Sequence, residues 1–281
     1  MKKTLAKLLC GVLMLAMPMA LFAKKSKDDS IYRPLYTAFE INIGGAAWKE
    51  KPLSYFTFNG TNLSLSLEMM RACRGESKWV QQHQLRYIYN SGDMAISGNG
   101  GSKVHLFNYT YGVMCHSKVA PKFRLYYGPD INVMAGAISN IHGGNNPKTF
   151  KGDLSIGFTG MAVWDFKLGK LPVTSRYQMS LPVFSAFIQQ KQGYMAHSFA
   201  DGWTFGSFGK HFNMRNRLHF DLHFSSWALR LGYNNDILTN YATTNHFQYV
   251  SHNFVLGFAG ELMRWNPKNA NKKIKTALYT Y

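Results

Sequence analysis

A histidine and a serine two residues apart form the most reactive pairing in this sequence. His223-x-Ser225 has the spacing that places both side chains on one face of a strand, and Asp221 could orient the imidazole of His223. Phe220 and Leu222 lie on the opposite, apolar face, so the pair would point inward or into a turn. A hydrolase that acts on membrane lipid would need its nucleophile on the apolar face. We therefore expect no enzyme and no catalytic residue, and a lipid-modifying hydrolase is the second alternative.

The repeat His219-x-Asp221-x-His223 contains residue types that bind metals. Side chains two positions apart on a strand are roughly 7 Å from each other. That separation is too wide for chelation without a third ligand from another element. We expect no metal site and no cofactor.

The elements that carry these residues are predicted to be β-strands. Apolar and polar residues alternate in 63–69, 154–159, 218–224 and 253–258, as in strands with one face in an apolar medium. Hydrophobic residues make up 46% of the 281 positions, which excludes a disordered chain. The mean hydropathy of −0.21 excludes a bundle of membrane-spanning helices. Three cysteines are too few for a disulfide scaffold, and Cys73 and Cys115 are expected to be free thiols.

The lengths of the predicted connections decide between two β architectures. The pattern predicts strands at 35–48, 61–74, 78–90, 102–117, 122–139, 150–167, 172–190, 211–225, 227–238 and 246–262. Short connections (75–77, 118–121, 225–226) follow the even strands, and long ones (49–60, 91–101, 140–149, 191–210, 239–245) follow the odd strands. A soluble β-sandwich has no reason to sort its connections by length, whereas outer-membrane barrels have short periplasmic turns and longer outer loops. The sequence therefore predicts an all-β fold, a transmembrane antiparallel up-and-down β-barrel of about 10 strands, within a range of roughly 8–12.

Aromatic residues on the predicted outward faces agree with a barrel whose rings lie at the headgroup level. They are Tyr87, Tyr89, Tyr109, Tyr111, Tyr127, Trp164, Phe166 and Tyr177.

The chain divides into four predicted regions. Residues 1–23 have the basic, apolar and small-residue segments of a cleaved signal peptide. A periplasmic segment (24–34) precedes the barrel (35–265), and a basic tail (266–281) follows it, unless its last residues form a further strand. The formal charge is +18, and loss of the three lysines in 1–23 leaves +15.

The inward faces of the predicted strands carry charges of both signs. A barrel of eight strands is just filled by its side chains, and ten strands lie nearer that size than the roughly 16–18 of a porin. We expect these residues to form a paired network that fills the lumen; the alternative is a narrow passive pore for small polar solutes, lined by arginines. The predicted lumen-lining residues are Glu40, Glu68, Arg86, Arg124, Asp130, Asp153, Asp165, Arg176, Arg217, His219, Asp221, His223, Arg230 and Glu261.

Several stretches, in order and spacing, resemble a Bacteroidetes family of outer-membrane β-barrel proteins of unknown function. They are 54–60 with 63–68, Asn145-Asn146-Pro147, Arg176-Tyr177-Gln178 with Leu181-Pro182, 229–233 and His252-Asn253-Phe254. The family's Tyr-Gly-x-Ser-Tyr-Tyr-Glu loop is eroded at 192–198, and the basic tail is an addition. The resemblance implies the fold and the outer membrane, but no activity.

These observations predict a non-enzymatic structural or interaction component of the outer membrane of a Gram-negative bacterium. The expected partners are outer-membrane lipids, since lysines concentrate at strand ends and turns, and another envelope protein bound through the loops or the tail. Nucleic acid is not expected, because the chain is exported and has no recognition motif.

Overall fold

The computed structural model describes residues 31–32, 35–51, 53–73, 78–98, 100–141, 148–189, 203–224, 227–242, 245–261 and 275–276. The predicted signal peptide (1–23) lies outside these residues, as do most of segment 24–34 and most of the tail. The resemblance loops at 145–147 and 192–198 and the serine at position 225 also lie outside them. None of the described residues forms a helix long and apolar enough to cross a membrane.

Ten long antiparallel strands form a closed barrel in which each strand pairs with its neighbours in chain order. The last long strand pairs with the first, so the wall closes without any residue of the tail. This confirms the predicted fold. The thirteen strands of the described residues are β1 (Ile31–Tyr32), β2 (Tyr36–Glu50), β3 (Phe58–Ala72), β4 (Trp79–Met94), β5 (Ser102–Ala120), β6 (Phe123–Asn140), β7 (Lys148–Leu168), β8 (Leu171–Ile188), β9 (Trp203–Gly206), β10 (His211–Phe224), β11 (Trp227–Ala242), β12 (Asn245–Glu261) and β13 (Lys275–Thr276).

In each barrel strand apolar residues are exposed and polar residues are buried, which is the reverse of the pattern in a soluble protein. In β12, Phe254, Leu256 and Phe258 are exposed, whereas Asn253 is buried. In β3, likewise, leucines are exposed and the serines between them are buried. Because successive side chains of a strand point to opposite faces, apolar residues cover the outside of the barrel and polar residues fill its inside.

The two ends of the barrel differ in their connections. At one end, which we call the turn end, strands are joined by 73–78, 121–122, 169–170 and 225–226. At the other, the loop end, the connections are 51–57, 95–101, 141–147, 189–210 and 243–244.

Two of the predicted connections fall in the wrong length class. The predicted loop 239–245 is reduced to 243–244, because β11 and β12 continue their pairing to Ala242 and Asn245. The predicted turn 75–77 is longer, because β3 ends at Ala72. Long connections nevertheless still predominate at the loop end.

The wall has one irregular seam, between β8 and β10. Their ladder runs from Leu222 to Arg215 on β10 and ends at Ser180 on β8, two residues before Pro182, which has no N–H to donate. Farther toward the loop end β8 pairs with β9 instead, from Ser185 to Ile188. The edges 181–184 of β8 and 211–214 of β10 therefore have no ladder partner on this side among the described strands.

The short strands β1 and β13 pair in parallel in a separate two-stranded sheet. The alternative in which the tail adds a strand to the barrel is therefore wrong for Lys275 and Thr276, its only two described residues.

Candidate functional site in the barrel interior

The interior of the barrel is divided into three layers along its axis. An apolar cluster lies toward each end, and between and around the clusters lie charged residues that are buried in equal numbers, seven acidic and seven basic. The acidic residues are Glu40, Glu50, Glu68, Asp130, Asp153, Asp221 and Asp236; the basic ones are Arg86, Arg124, Lys151, Arg176, Arg215, Arg217 and Arg230. Burial of ionised groups requires such compensation, because an unpaired charge in an apolar interior costs several kcal/mol.

Arg230 is the centre of the main ion-pair network. Its Nε and Nη2 donate to both oxygens of Asp221, at 2.7 and 2.9 Å. Its Nη1 lies 2.6 Å from a carboxylate oxygen of Glu40 and 2.6 Å from one of Glu68. Nη2 also donates to the hydroxyl of Tyr36. One fully buried guanidinium thus joins strands β2, β3, β10 and β11 across the lumen.

A second arginine extends this network to β8. Arg176 donates to both oxygens of Glu68, at 2.7 and 3.2 Å. Gln82 donates to the same carboxylate and exchanges hydrogen bonds with Gln178, at 3.1 and 2.8 Å. Arg176 and Gln82 therefore each meet a partner from the opposite wall, and the interior at this level is polar and ion-paired.

A second group of charged residues lies nearer the loop end, and some of its guanidinium N–H donors have no acceptor among the described residues. Arg86 donates to Asp236 at 2.8 Å, and Arg215, which is opposite Asp236 in the β10–β11 ladder, donates to Asn108 and Thr110. The Nε atoms of Arg86 and Arg215 have no hydrogen-bond partner in the described structure.

The loop-end cluster is the apolar layer that lies just inside the loops. It contains Ala46, Trp48, Phe58, Ile88, Val104, Leu106, Met134, Ile138, Leu238, Phe247 and Tyr249. The Trp48 and Phe58 rings stack with 6.1 Å between centroids, and the Trp48 indole donates to Ser102 at 3.0 Å. Beside it Lys151 and Glu50 form a fully buried ion pair at 2.5 Å, with the ammonium 4.6 Å from the Phe247 ring centre.

The turn-end cluster is the apolar layer at the opposite end. It contains Tyr36, Ala38, Met70, Val80, Met114, Tyr126, Met161, Val163, Ala228 and Ala259. The guanidinium of Arg176 contacts the sulfur atoms of Met70 and Met161, so this cluster continues directly into the ion-pair network.

A family model matches residues 7–269, and its description is "Protein of unknown function (DUF3316)". The chain belongs to this family. The expectation of a family without known activity is thereby confirmed, and the stretches that carried the resemblance all fall within the matched residues. No curated protein matches the DUF3316 chain.

Several solved structures are similar to the DUF3316 chain at 10% sequence identity or less. The outer membrane protease OmpT from Escherichia coli has 5% identity and a TM-score of 0.47, covering 86% of this chain and all of its own. The transport unit of the autotransporter AIDA-I from E. coli has 8% identity and a TM-score of 0.44, covering 88% and 97%. The translocator domain of NalP from Neisseria meningitidis has 10% identity and a TM-score of 0.39, covering 93% and 98%.

The structure buries eleven of the fourteen predicted lumen residues of the DUF3316 barrel. They are Glu40, Glu68, Arg86, Arg124, Asp130, Asp153, Arg176, Arg217, His219, Asp221 and Arg230. Asp165, His223 and Glu261 are only half-buried and lie near the turn end. Asp165 pairs there with Arg124 at 2.5 Å, so the structure places it at the rim of the lumen.

Four further buried charges were missed from the sequence: Glu50, Lys151, Arg215 and Asp236. Each has the same strand parity as a predicted neighbour, for example Arg215 with Arg217 and Lys151 with Asp153. Parity alone could have found Lys151, Arg215 and Asp236, which lie within predicted strands. Glu50 lies outside the predicted strand 35–48, because β2 continues two residues beyond that predicted end.

The candidate reactive histidines have structural partners. The Nε2 atom of His223 lies 2.8 Å from the hydroxyl of Thr174, and that of His219 lies 3.0 Å from the amide oxygen of Asn234. Within the described ranges, no three His, Cys, Asp or Glu side chains gather in a way that could hold a metal ion. Cys73 and Cys115 are not joined in a disulfide.

Proposed function

We propose that this DUF3316 barrel lies in the outer membrane of a Gram-negative bacterium of the Bacteroidetes. The apolar outer face supports this location, because side chains such as Phe254 and Ile43 are 78% and 61% exposed to the surroundings. Exposed apolar surface of this extent around a whole barrel is unfavourable in water and expected in lipid. The similarity of residues 54–60, 63–68 and 229–233 to the Bacteroidetes family supports the taxonomic assignment.

The barrel acts in this proposal as a non-enzymatic structural or interaction component with a filled lumen. The observation that carries the proposal is the Arg230 network, in which one guanidinium from the β10–β11 side binds carboxylates from β2 and β3. Arg176 and Arg230, two of the arginines expected to line a pore, are held in place by these contacts. An apolar cluster lies on either side of the network, so an ion that enters the lumen from either end meets an apolar layer.

Conductance of the refolded mature chain (24–281) in a planar bilayer tests the filled lumen. Insertion is verified first by protection from protease. Folding is verified by electrophoresis, in which a folded barrel migrates more slowly after it has been heated. We expect insertion without discrete current steps. Reproducible steps would overturn the filled lumen and establish the pore, with Arg86, Arg124, Arg176 and Arg230 as candidates for selectivity.

A second assay tests the absence of catalysis. The inserted protein is incubated with radiolabelled phospholipid and with labelled lipid A, and the products are separated by thin-layer chromatography. We expect both substrates to remain intact. Turnover above that of a heat-denatured sample would overturn the non-enzymatic proposal.

A further inference from the structure

Two outward lysines flank a serine in one straight row across three strands at the loop end. Lys103 of β5 is directly opposite Ser139 of β6, and Ser139 is directly opposite Lys148 of β7. All three alternate with buried neighbours and therefore point to the outside of the wall. The two lysine backbones lie two strand spacings apart, about 10 Å, so that their long side chains can reach one common anion.

Neither lysine has a carboxylate partner. No ion pair among the described residues includes Lys103 or Lys148, and the neighbouring outward carboxylate, Asp93, makes none with Lys103. Ser139 adds a hydroxyl between them, oriented toward the backbone oxygen of Lys103 at 3.4 Å. Two unpaired ammonium groups and a hydroxyl suit a phosphate group, which accepts several hydrogen bonds and carries negative charge.

A shallow apolar groove continues from this row toward the middle of the wall. Its floor is formed by Ala137 and Ala135 of β6, whose side chains are single methyl groups. Ala137 lies between His105 and Phe150, and Phe107, which is 58% exposed, lies beside Ala135. Neighbouring side chains stand about 5 Å to either side, so His105 and Phe107 form the wall on β5 and Phe150 forms the wall on β7 beside Ala137. Gly152, opposite Ala135 on β7, adds no side chain, so the alanines leave a channel at least as wide as one acyl chain.

We propose that this surface binds one phosphorylated, acylated glycolipid of the outer leaflet. Its phosphate lies between Lys103 and Lys148, and one of its acyl chains lies on Ala135 and Ala137. The cationic row and the groove share the same three strands, in the order in which such a lipid presents its headgroup and its chain. The inference rests on the proposed outer-membrane location with the loop end outward.

A binding titration in detergent tests the site without requiring insertion. Native mass spectrometry of the folded full-length mature chain measures binding of bis-phosphorylated lipid A and of lipid A with both phosphates removed. We expect the bis-phosphorylated form to bind more tightly, and the double variant Lys103→Gln/Lys148→Gln to lose roughly 10- to 30-fold in affinity for it. Ala135→Leu, which fills the groove at unchanged charge, should weaken binding of both forms by about threefold to tenfold.

Matched controls come from the opposite end of the same barrel. Lys167→Gln/Lys170→Gln removes two exposed lysines at the turn end, and Ala162→Leu enlarges an outward alanine near that end. Both should bind lipid A as the unsubstituted chain does. All variants are first shown to be folded by circular dichroism and heat-dependent gel mobility.

Three results would overturn the site. The first is an unchanged affinity for bis-phosphorylated lipid A in the Lys103/Lys148 variant. The second is an equal loss of affinity in the Lys167/Lys170 control, which would indicate general charge attraction. The third is equal affinity for lipid A with and without its phosphates. Failure of the proposed location is a separate result, because it would be seen as failure of the mature chain to insert into vesicles whatever its lipid affinity.

Discussion

Arg230 is the side chain on which the interior depends most. It is completely buried and contacts three carboxylates, those of Glu40, Glu68 and Asp221. Removal of the guanidinium leaves these negative charges close together and buried, where a broken pair costs about 3–5 kcal/mol. We expect Arg230→Met to lower the free energy of unfolding by at least this amount.

Urea titration of the barrel in lipid vesicles, followed by tryptophan fluorescence, measures the change. Lys170→Met, at an exposed position of the turn end, is the control and should change stability by less than about 0.5 kcal/mol. An Arg230→Met barrel as stable as the control would contradict the assigned role of the network.

The buried pair Lys151–Glu50 allows a test of pairing in isolation from the larger network. The ammonium and carboxylate are 2.5 Å apart, and Gln189 bonds to both. Lys151→Met alone leaves the Glu50 carboxylate buried without its cation, and should lower the free energy of unfolding by about 3–5 kcal/mol. The double variant Lys151→Met/Glu50→Gln removes both charges and should recover much of that loss. Additive effects of the two substitutions in vesicle unfolding would show that the pair is not coupled.

At the scale of the strands, the β8–β10 seam is where the wall is weakest. The β8–β10 pairing ends at Arg215, so backbone amides of 212–214 that point toward β8 have no ladder acceptor on that side, whereas the His211 amide donates to the carbonyl of Ser207. Unpaired amides open to exchange more readily than those in a continuous ladder. We expect peptides that cover 211–214 and 181–184 to exchange deuterium at least about tenfold faster than peptides of β11 at the same distance from the loop end.

Hydrogen–deuterium exchange of the detergent-solubilised barrel, read by mass spectrometry, measures these rates. The segment 237–240 is the internal reference, because it is paired with β10 on one side and β12 on the other. Equal protection of the two segments would mean that the seam is closed in solution.

The sequence predicted the ten strands well because alternation is a local property. Once one residue of β12 is lipid-facing, the period of two fixes the orientation of all the others. Strand ends were less predictable, since β11 and β12 continue as long as each has the other to pair with. The strand β9 has only four residues, too few to display a period.

The partners within the lumen could not be predicted, although most inward residues could. Arg230 bonds to Glu40, which is 190 positions away in the chain, and Arg176 bonds to Glu68, 108 positions away. The stagger of the strands in the closed barrel determines which charged side chains meet across the interior. A local sequence pattern does not predict this stagger.

At the scale of the whole molecule, charge is segregated between the inside and the ends. The buried interior contains seven acidic and seven basic residues, whereas the whole sequence has a formal charge of +18. The seven acidic and seven basic buried residues cancel, and among the described residues outside the buried interior exposed lysines such as Lys148, Lys167 and Lys170 lie at both rims. A neutral interior, an apolar belt and cationic rims together fit a wall embedded between anionic headgroups.

The apolar belt itself provides a test of membrane embedding. Phe254 is 78% exposed near the middle of β12, and Gln248, also outward, lies near the loop end of the same strand. An arginine that faces lipid at the midplane costs about 2–4 kcal/mol, and one near the interface costs about 0–1 kcal/mol. We expect Phe254→Arg to lower the vesicle unfolding free energy by about 2–4 kcal/mol and Gln248→Arg by less than about 1 kcal/mol. Because an exposed arginine costs little in water, equal small effects at both positions would indicate that this face of the barrel does not contact lipid.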